Sequence, residues 1–122
     1  MNKKSLLVVF FLLTVFATTA LANKTAVTIE SPQSATKGAE IIIKINVTHS
    51  ANNFFHYTNW VYIRANGKEI ARWDFTSSNK PESNNFYREV RYTVTETTEI
   101  TAMGNCNIHG SAGEVKMVIK VE

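Results

Sequence analysis

The sequence predicts an all-β domain: an immunoglobulin-like antiparallel β-sandwich of about seven strands. Three observations carry this expectation. Short runs rich in Val, Ile, Thr and aromatic residues alternate apolar with polar side chains. Clusters of Gly, Pro, Asn and Ser punctuate them at short intervals. No stretch between them carries an amphipathic helical period.

Taken in order, Ala26–Glu30 is the first alternating run, and Ser31-Pro32-Gln33-Ser34 breaks it. Lys37-Gly38 turns the chain into Glu40–Val47, where Ile41, Ile43, Ile45 and Val47 share one face. A polar and aromatic loop, Thr48–Asn59, leads to a strand at Trp60–Arg64. Asn66-Gly67 then marks a tight hairpin, because both central residues of a type I′ turn need positive φ. Lys68–Phe75 returns, and Thr76–Asn85 is a loop. Tyr87–Thr97 alternates again, with Val90, Tyr92 and Val94 on one face. Thr98–Met103 is the sixth strand. Glu114–Val121 closes the chain, with Val115, Met117, Ile119 and Val121 facing one way.

Residues 1–22 are expected to stand apart from this domain. Lys3 and Lys4 precede the apolar run Leu6–Val15, and Ala20-Leu21-Ala22 follows. A basic start, a short apolar core and an Ala-x-Ala site describe a secretory signal peptide. Cleavage after Ala22 would leave residues 23–122 as one periplasmic or secreted domain, with no membrane attachment thereafter. A membrane anchor is the alternative, but the apolar core is short for a span of about 20 residues. No cysteine ends the apolar run, which argues against a lipoprotein anchor. Without Lys3 and Lys4 the 13 basic residues fall to 11 against 10 acids. The mature chain is therefore near neutral, and no Lys/Arg run with interleaved aromatics suggests nucleic acid.

Exported domains of this size are often stapled by disulfides. This chain has one cysteine, Cys106, and cannot form an internal one. In an oxidising compartment such a thiol is buried, paired with another molecule or held by a metal. Its setting, Gly104-Asn105-Cys106-Asn107-Ile108-His109-Gly110, favours the metal, with a histidine three residues on and a glycine at each end of the stretch. The remaining histidines, His49 and His56, lie in one upstream loop. In a sandwich the loops gather at its two ends, so these two loops are expected to share one end. The candidate metal ligands are then His49, His56, Cys106 and His109. Thiolate with imidazole suits iron, copper or zinc and not magnesium or calcium.

Cys106-Asn107-Ile108-His109-Gly110 resembles the Cys-Asn-x-His-Gly motif of the desulfoferrodoxin and neelaredoxin family, the superoxide reductases. His56-Tyr57-Thr58-Asn59-Trp60 is similar to that family's His-Tyr-Ile-Glu-Trp segment, and Asn66-Gly67 falls at its Asp-Gly hairpin. The resemblance runs from about Ile41 to Val121. It implies a mononuclear non-haem iron with Cys106 as axial thiolate and His49, His56 and His109 as equatorial ligands. Superoxide would be reduced to hydrogen peroxide at the open position, with electrons from a separate redox donor protein; a homo-oligomer is compatible with it. The family carries a further histidine upstream, where this chain has Ile29-Glu30-Ser31-Pro32, so Glu30 is the candidate for that place. Lys37 is the candidate for the lysine that the family keeps near the open position.

Two other readings compete. A Cys and a His before the last strand also suit a copper electron carrier of cupredoxin type, with Met117 as axial ligand, although Met117 falls in phase with the core face of its strand. A sulfur-carrier-like binding module would use Cys106 as a buried or partner-facing thiol and leave the histidines without a role. Asn46-Val47-Thr48 has the form of a glycosylation sequon and is read as a strand end.

Overall fold

The computed structural model describes residues 23–122, so the expected signal peptide lies outside the described residues. Among the described residues eight strands occur: β1 (Ala26–Glu30), β2 (Ser34–Ala35), β3 (Glu40–Thr48), β4 (Thr58–Ala65), β5 (Lys68–Asp74), β6 (Asn85–Thr93), β7 (Thr98–Cys106) and β8 (Val115–Val121). They form a sheet ordered β1-β3-β6 and a second ordered β2-β8-β7-β4-β5. Among the described residues no helix is long and apolar enough to cross a membrane.

The alternation of β3 decides how the sheets meet. Ile43, Ile45 and Val47 are fully buried, whereas Ile42, one step out of phase, is about half exposed. They pack with Val61 and Ile63 of β4, Ile100 and Ala102 of β7 and Ile119 of β8, all of them also fully buried. Each such Val or Ile contributes roughly 1.5–3 kcal/mol of transfer free energy. A one-residue slip would turn this set outward, so the core fixes the register. The Asn66-Gly67 hairpin forms as expected, with φ of 49° and 81°.

The structure departs from the sequence reading in three places. The eighth strand, β2, is two residues long and pairs parallel with β8, inside the segment read as a break. Its neighbours are polar, so no alternation marks it. β6 stops at Thr93; Val94 then leaves the ladder, its N–H donating to Ala39 O at 2.9 Å and its C=O accepting from Gly38 at 2.7 Å. β7 runs three residues past Met103, so Cys106 closes a central strand rather than sitting in the following loop.

These strand ends position the site. β3 ends at Thr48, immediately before His49. β4 begins at Thr58, two residues after His56, and Thr58 pairs with Cys106. β1 starts at the same end, where Thr25 bridges Ser111.

Candidate metal centre

The two loops meet and bring His49, His56 and Cys106 into one group, with His109 next to His56 and Cys106. His49 Nε2 lies 3.1 Å from His56 Nε2. His56 Nε2 lies 3.2 Å from His109 Nδ1. His109 Nδ1 is 3.8 Å from Cys106 Sγ. The donor atoms of His49, His56 and Cys106 all fall within 4.8 Å of one another.

Local sequence explains each position. Asn52 sets the His49 ring. Its Oδ1 accepts the Thr58 N–H at 2.7 Å, and its Nδ2 donates to Ser83 O at 2.8 Å. Oδ1 is thus an acceptor, so His49 Nδ1, 3.1 Å away, carries the proton toward it. That tautomer turns the Nε2 lone pair into the cluster, as metal-binding histidines require. Burial pushes the His49 pKa below the usual histidine value, opposed by the Asn52 hydrogen bond and helped by nearby His56. A neutral ring is the form that binds metal.

His56 is held by an Asx turn. Asn53 Oδ1 accepts the N–H groups of Phe55 and His56 at 3.0 and 2.9 Å, and Asn53 N–H donates to His56 O at 2.8 Å. His109 is held by a tight reversal. Cys106 N–H donates to Gly110 O at 2.9 Å, and Gly110 N–H returns to Cys106 O at 3.0 Å, with Gly110 at φ 80°. The same turn directs the His109 N–H to Cys106 Sγ at 3.4 Å.

The second glycine of the motif works differently from the expectation. Gly104 is not a turn residue; a Cβ there would lie 2.8 Å from the Thr25 methyl and 3.2 Å from Val27. It lets β1 approach β7. A register shift in β4 between Thr58 and Trp60 turns Thr58 inward, where it is fully buried. Its hydroxyl lies 3.1 Å from His49 Nδ1 and 3.0 Å from Thr25 Oγ1.

The donor atoms of His49, His56 and Cys106, with His109 Nδ1 beside His56 Nε2, make a nitrogen and sulfur set that suits iron, copper or zinc. Cys106 and His49 form a buried floor at 1% and 5% exposure, while His109 is exposed to solvent.

The structure corrects the placement of three other candidates. Glu30 pairs with Lys44 in register, five residues from His49, or about 17 Å along the strand. It is exposed there and accepts from Asn46 Nδ2 at 3.0 Å. The β1 residue at the site end is Thr25, fully buried. Lys37 precedes β3, at its opposite end from His49, about 27 Å away along the strand. Met117 pairs with Ile100, six residues or about 20 Å from Cys106, which removes it as an axial ligand.

Sequence reasoning also missed Asn52 and Thr58 as supports of the His49 ring, and Asn107 as a clamp. Asn107 Oδ1 accepts the Tyr57 N–H at 2.9 Å, its Nδ2 donates to Phe55 O at 3.1 Å, and its own N–H donates to Tyr57 O at 3.0 Å. The available signal was an asparagine flanking each ligand cluster, a residue whose side chain mimics backbone groups.

The family model described as Desulfoferrodoxin matches residues 17–112. The chain belongs to the desulfoferrodoxin family. Solved structures agree on the fold of this desulfoferrodoxin-family chain. It is similar to a superoxide reductase (neelaredoxin) from Ignicoccus hospitalis, with 20% identity, a TM-score of 0.66, and coverage of 81% of this chain and 83% of that one. A superoxide reductase (neelaredoxin) mutant from Archaeoglobus fulgidus in the reduced form gives 18% identity and a TM-score of 0.56 over 79% of this chain and 91% of that one. The sulfur carrier protein SoxY from Chlorobium limicola gives 13% identity and a TM-score of 0.55 over 90% and 96%. No curated protein matches the chain.

Proposed function

We propose that this chain is an exported, periplasmic or secreted mononuclear non-haem iron protein that reduces superoxide to hydrogen peroxide. The reaction takes one electron from a separate donor protein and two protons from solvent. One observation supports the proposal: the donor atoms of His49, His56 and Cys106, from two loops, lie within 4.8 Å of one another, with His109 Nδ1 3.2 Å from His56 Nε2. His49, His56, His109 and Cys106 would hold the iron, which supplies the electron that superoxide accepts when bound.

The chain's own residues do the rest. Asn52 keeps His49 in the tautomer that points Nε2 inward. The His109 N–H donates to Cys106 Sγ and holds the two residues side by side. The buried floor shields the sulfur from solvent, and the exposed His109 side admits a small anion and protons.

The competing readings fit less well. With Met117 far from the sulfur, a cupredoxin-type centre has no axial ligand from that residue. In the sulfur-carrier reading a partner-facing thiol is disfavoured, because Cys106 is 1% exposed. The test is the visible spectrum of the iron-loaded, oxidised protein. A thiolate-to-iron charge-transfer band is expected, and Cys106→Ser should abolish it. Persistence of the band in that variant overturns the assignment.

A further inference from the structure

Both loops of the metal centre are free of charge. Residues 45–63 and 100–113 contain no Asp, Glu, Lys or Arg. The same loops carry three of the six large apolar side chains that stand exposed among the described residues: Phe54, Phe55 and Ile108, each more than half exposed. Leaving such a side chain in water forgoes roughly 1.5–3 kcal/mol of burial. Phe54-Phe55 directly precedes His56, and Ile108 directly precedes His109. The two phenylalanine rings meet edge to face, their centroids 5.1 Å apart. Asn107, next to Ile108, donates to Phe55 O at 3.1 Å and accepts the Tyr57 N–H at 2.9 Å, so both loop tips are held at one end of the sandwich. Charges enter only beyond the loops, at Lys24 beside Thr25 and at the Glu82–Arg88 ion pair beside Ser83.

We infer that Phe54, Phe55 and Ile108 form the docking surface for the electron donor, a small redox protein that presents an uncharged, apolar face around the edge of its own cofactor. The inference rests on the proposed iron reaction, which takes one electron from outside. The three side chains adjoin His56 and His109, the less buried ligands, so a protein seated on them meets the open side of the centre. One electron then passes from the donor's reduced cofactor to the oxidised iron, no bond forms or breaks, and the oxidised donor leaves. The size of the surface fits a brief encounter. At these exposures two phenylalanines and an isoleucine present on the order of 400 Å². A lasting dimer of this chain would need about 800 Å² per partner, whereas redox encounters occupy the low end of the size range. The lack of Lys and Arg in both loops removes the attraction that an anionic lipid surface exerts on basic segments. Docking by apolar contact should also be nearly independent of salt.

Reduced azurin, a blue-copper protein with apolar side chains around its copper edge, is the probe, and cytochrome c, whose haem edge is ringed by lysines, is its charged counterpart. Each is titrated into the isotope-labelled protein, metal-free and zinc-loaded, and amide shifts are read by NMR. Azurin is expected to shift amides of residues 53–57 and 107–109, at low and high salt alike. Phe54→Ser with Phe55→Ser keeps every backbone hydrogen bond of the arch, and should weaken azurin binding ~10-fold or more. Equal thermal unfolding establishes that this variant is folded. The same variant, iron-loaded, should exchange electrons with azurin more slowly, while its reaction with ascorbate stays unchanged. Absent shifts, shifts elsewhere, or an unaltered affinity in the variant overturn the inference. So does tighter, salt-sensitive binding of cytochrome c. Self-association of the protein alone, or its sedimentation with phosphatidylglycerol vesicles, would overturn it too if the double variant abolished either one, because the tips would then serve a second copy or a membrane. The iron reading fails separately: it falls if the iron-loaded protein lacks the thiolate charge-transfer band, whereas failed docking with the band present sinks the docking surface alone.

Discussion

His56 Nε2 stands between two other ring nitrogens, 3.1 Å from His49 Nε2 and 3.2 Å from His109 Nδ1. His56 and His109 are 53 residues apart in sequence and belong to different loops. His56 is thus the donor that joins the upstream histidine to the Cys106 turn.

Replacement of His56 should therefore do more harm than loss of a supporting residue. His56→Ala is expected to weaken zinc or cobalt binding beyond the ~10–100-fold typical of outer-shell losses. Competition titration against a chelator of known affinity measures it. An affinity within ten-fold of the unaltered protein would exclude His56 as a ligand.

Asn107 ties the two loops together through two side-chain hydrogen bonds to the backbone of Phe55 and Tyr57. At roughly 0.5–1.5 kcal/mol each, Asn107→Ala should cost about 1–2 kcal/mol of stability, since water partly replaces them. Urea unfolding of the metal-free protein gives the number. Metal affinity should fall as well, because His56 adjoins both contacts.

Gly104→Ala should destabilise by about 1–3 kcal/mol through overpacking against Thr25, whose methyl would lie 2.8 Å from the new Cβ. Thr25→Ser removes that methyl and keeps the hydroxyl that meets Thr58. The double variant should recover part of the loss in thermal unfolding. No recovery would place the strain elsewhere, at Val27 for instance, which sits 3.2 Å away.

Metal-free stability should decline in mild acid. Burial holds the His49 pKa in the folded chain below its unfolded value of about 6.5. As pH falls through that value the unfolded chain takes up a proton that the folded chain resists. Stability is therefore present above about 6.5 and lost below it, until the folded ring also protonates. Urea midpoints from pH 7.5 to 5.5 should drop, and His49→Gln should flatten the slope. An unchanged slope would assign the acid sensitivity to another group.

Much of this protein was legible because its signals were local. The β3 alternation, the Asn66-Gly67 turn and the Cys106-to-His109 spacing each follow from a few adjacent residues. The shared end of the two loops was expected because each follows a strand and loops gather at the two ends of a sandwich. What was missed depends on contacts distant in sequence. The two residues of β2 are a strand only because β8 lies beside them. Gly104 looked like a turn residue until Thr25 was found against it. Glu30 looked available as a donor, but the β1–β3 register carries it away from the site, and nothing within β1 fixes that register.

The pairing of Thr58 with Cys106 has a kinetic meaning. Cys106 is the buried last residue of β7, paired with Thr58 of β4 beyond the Thr98–Ala102 stretch that pairs with β8, so freeing the sulfur requires opening that end of the β4–β7 ladder. His56 rides on an arch whose tip, Phe54 and Phe55, is 59% and 77% exposed. Such segments open at far lower free energy than central strands. A bound ion should thus enter and leave by way of the His49–His56 arch, its exchange rate set by that arch, while the sulfur stays fixed until the β4–β7 ladder opens.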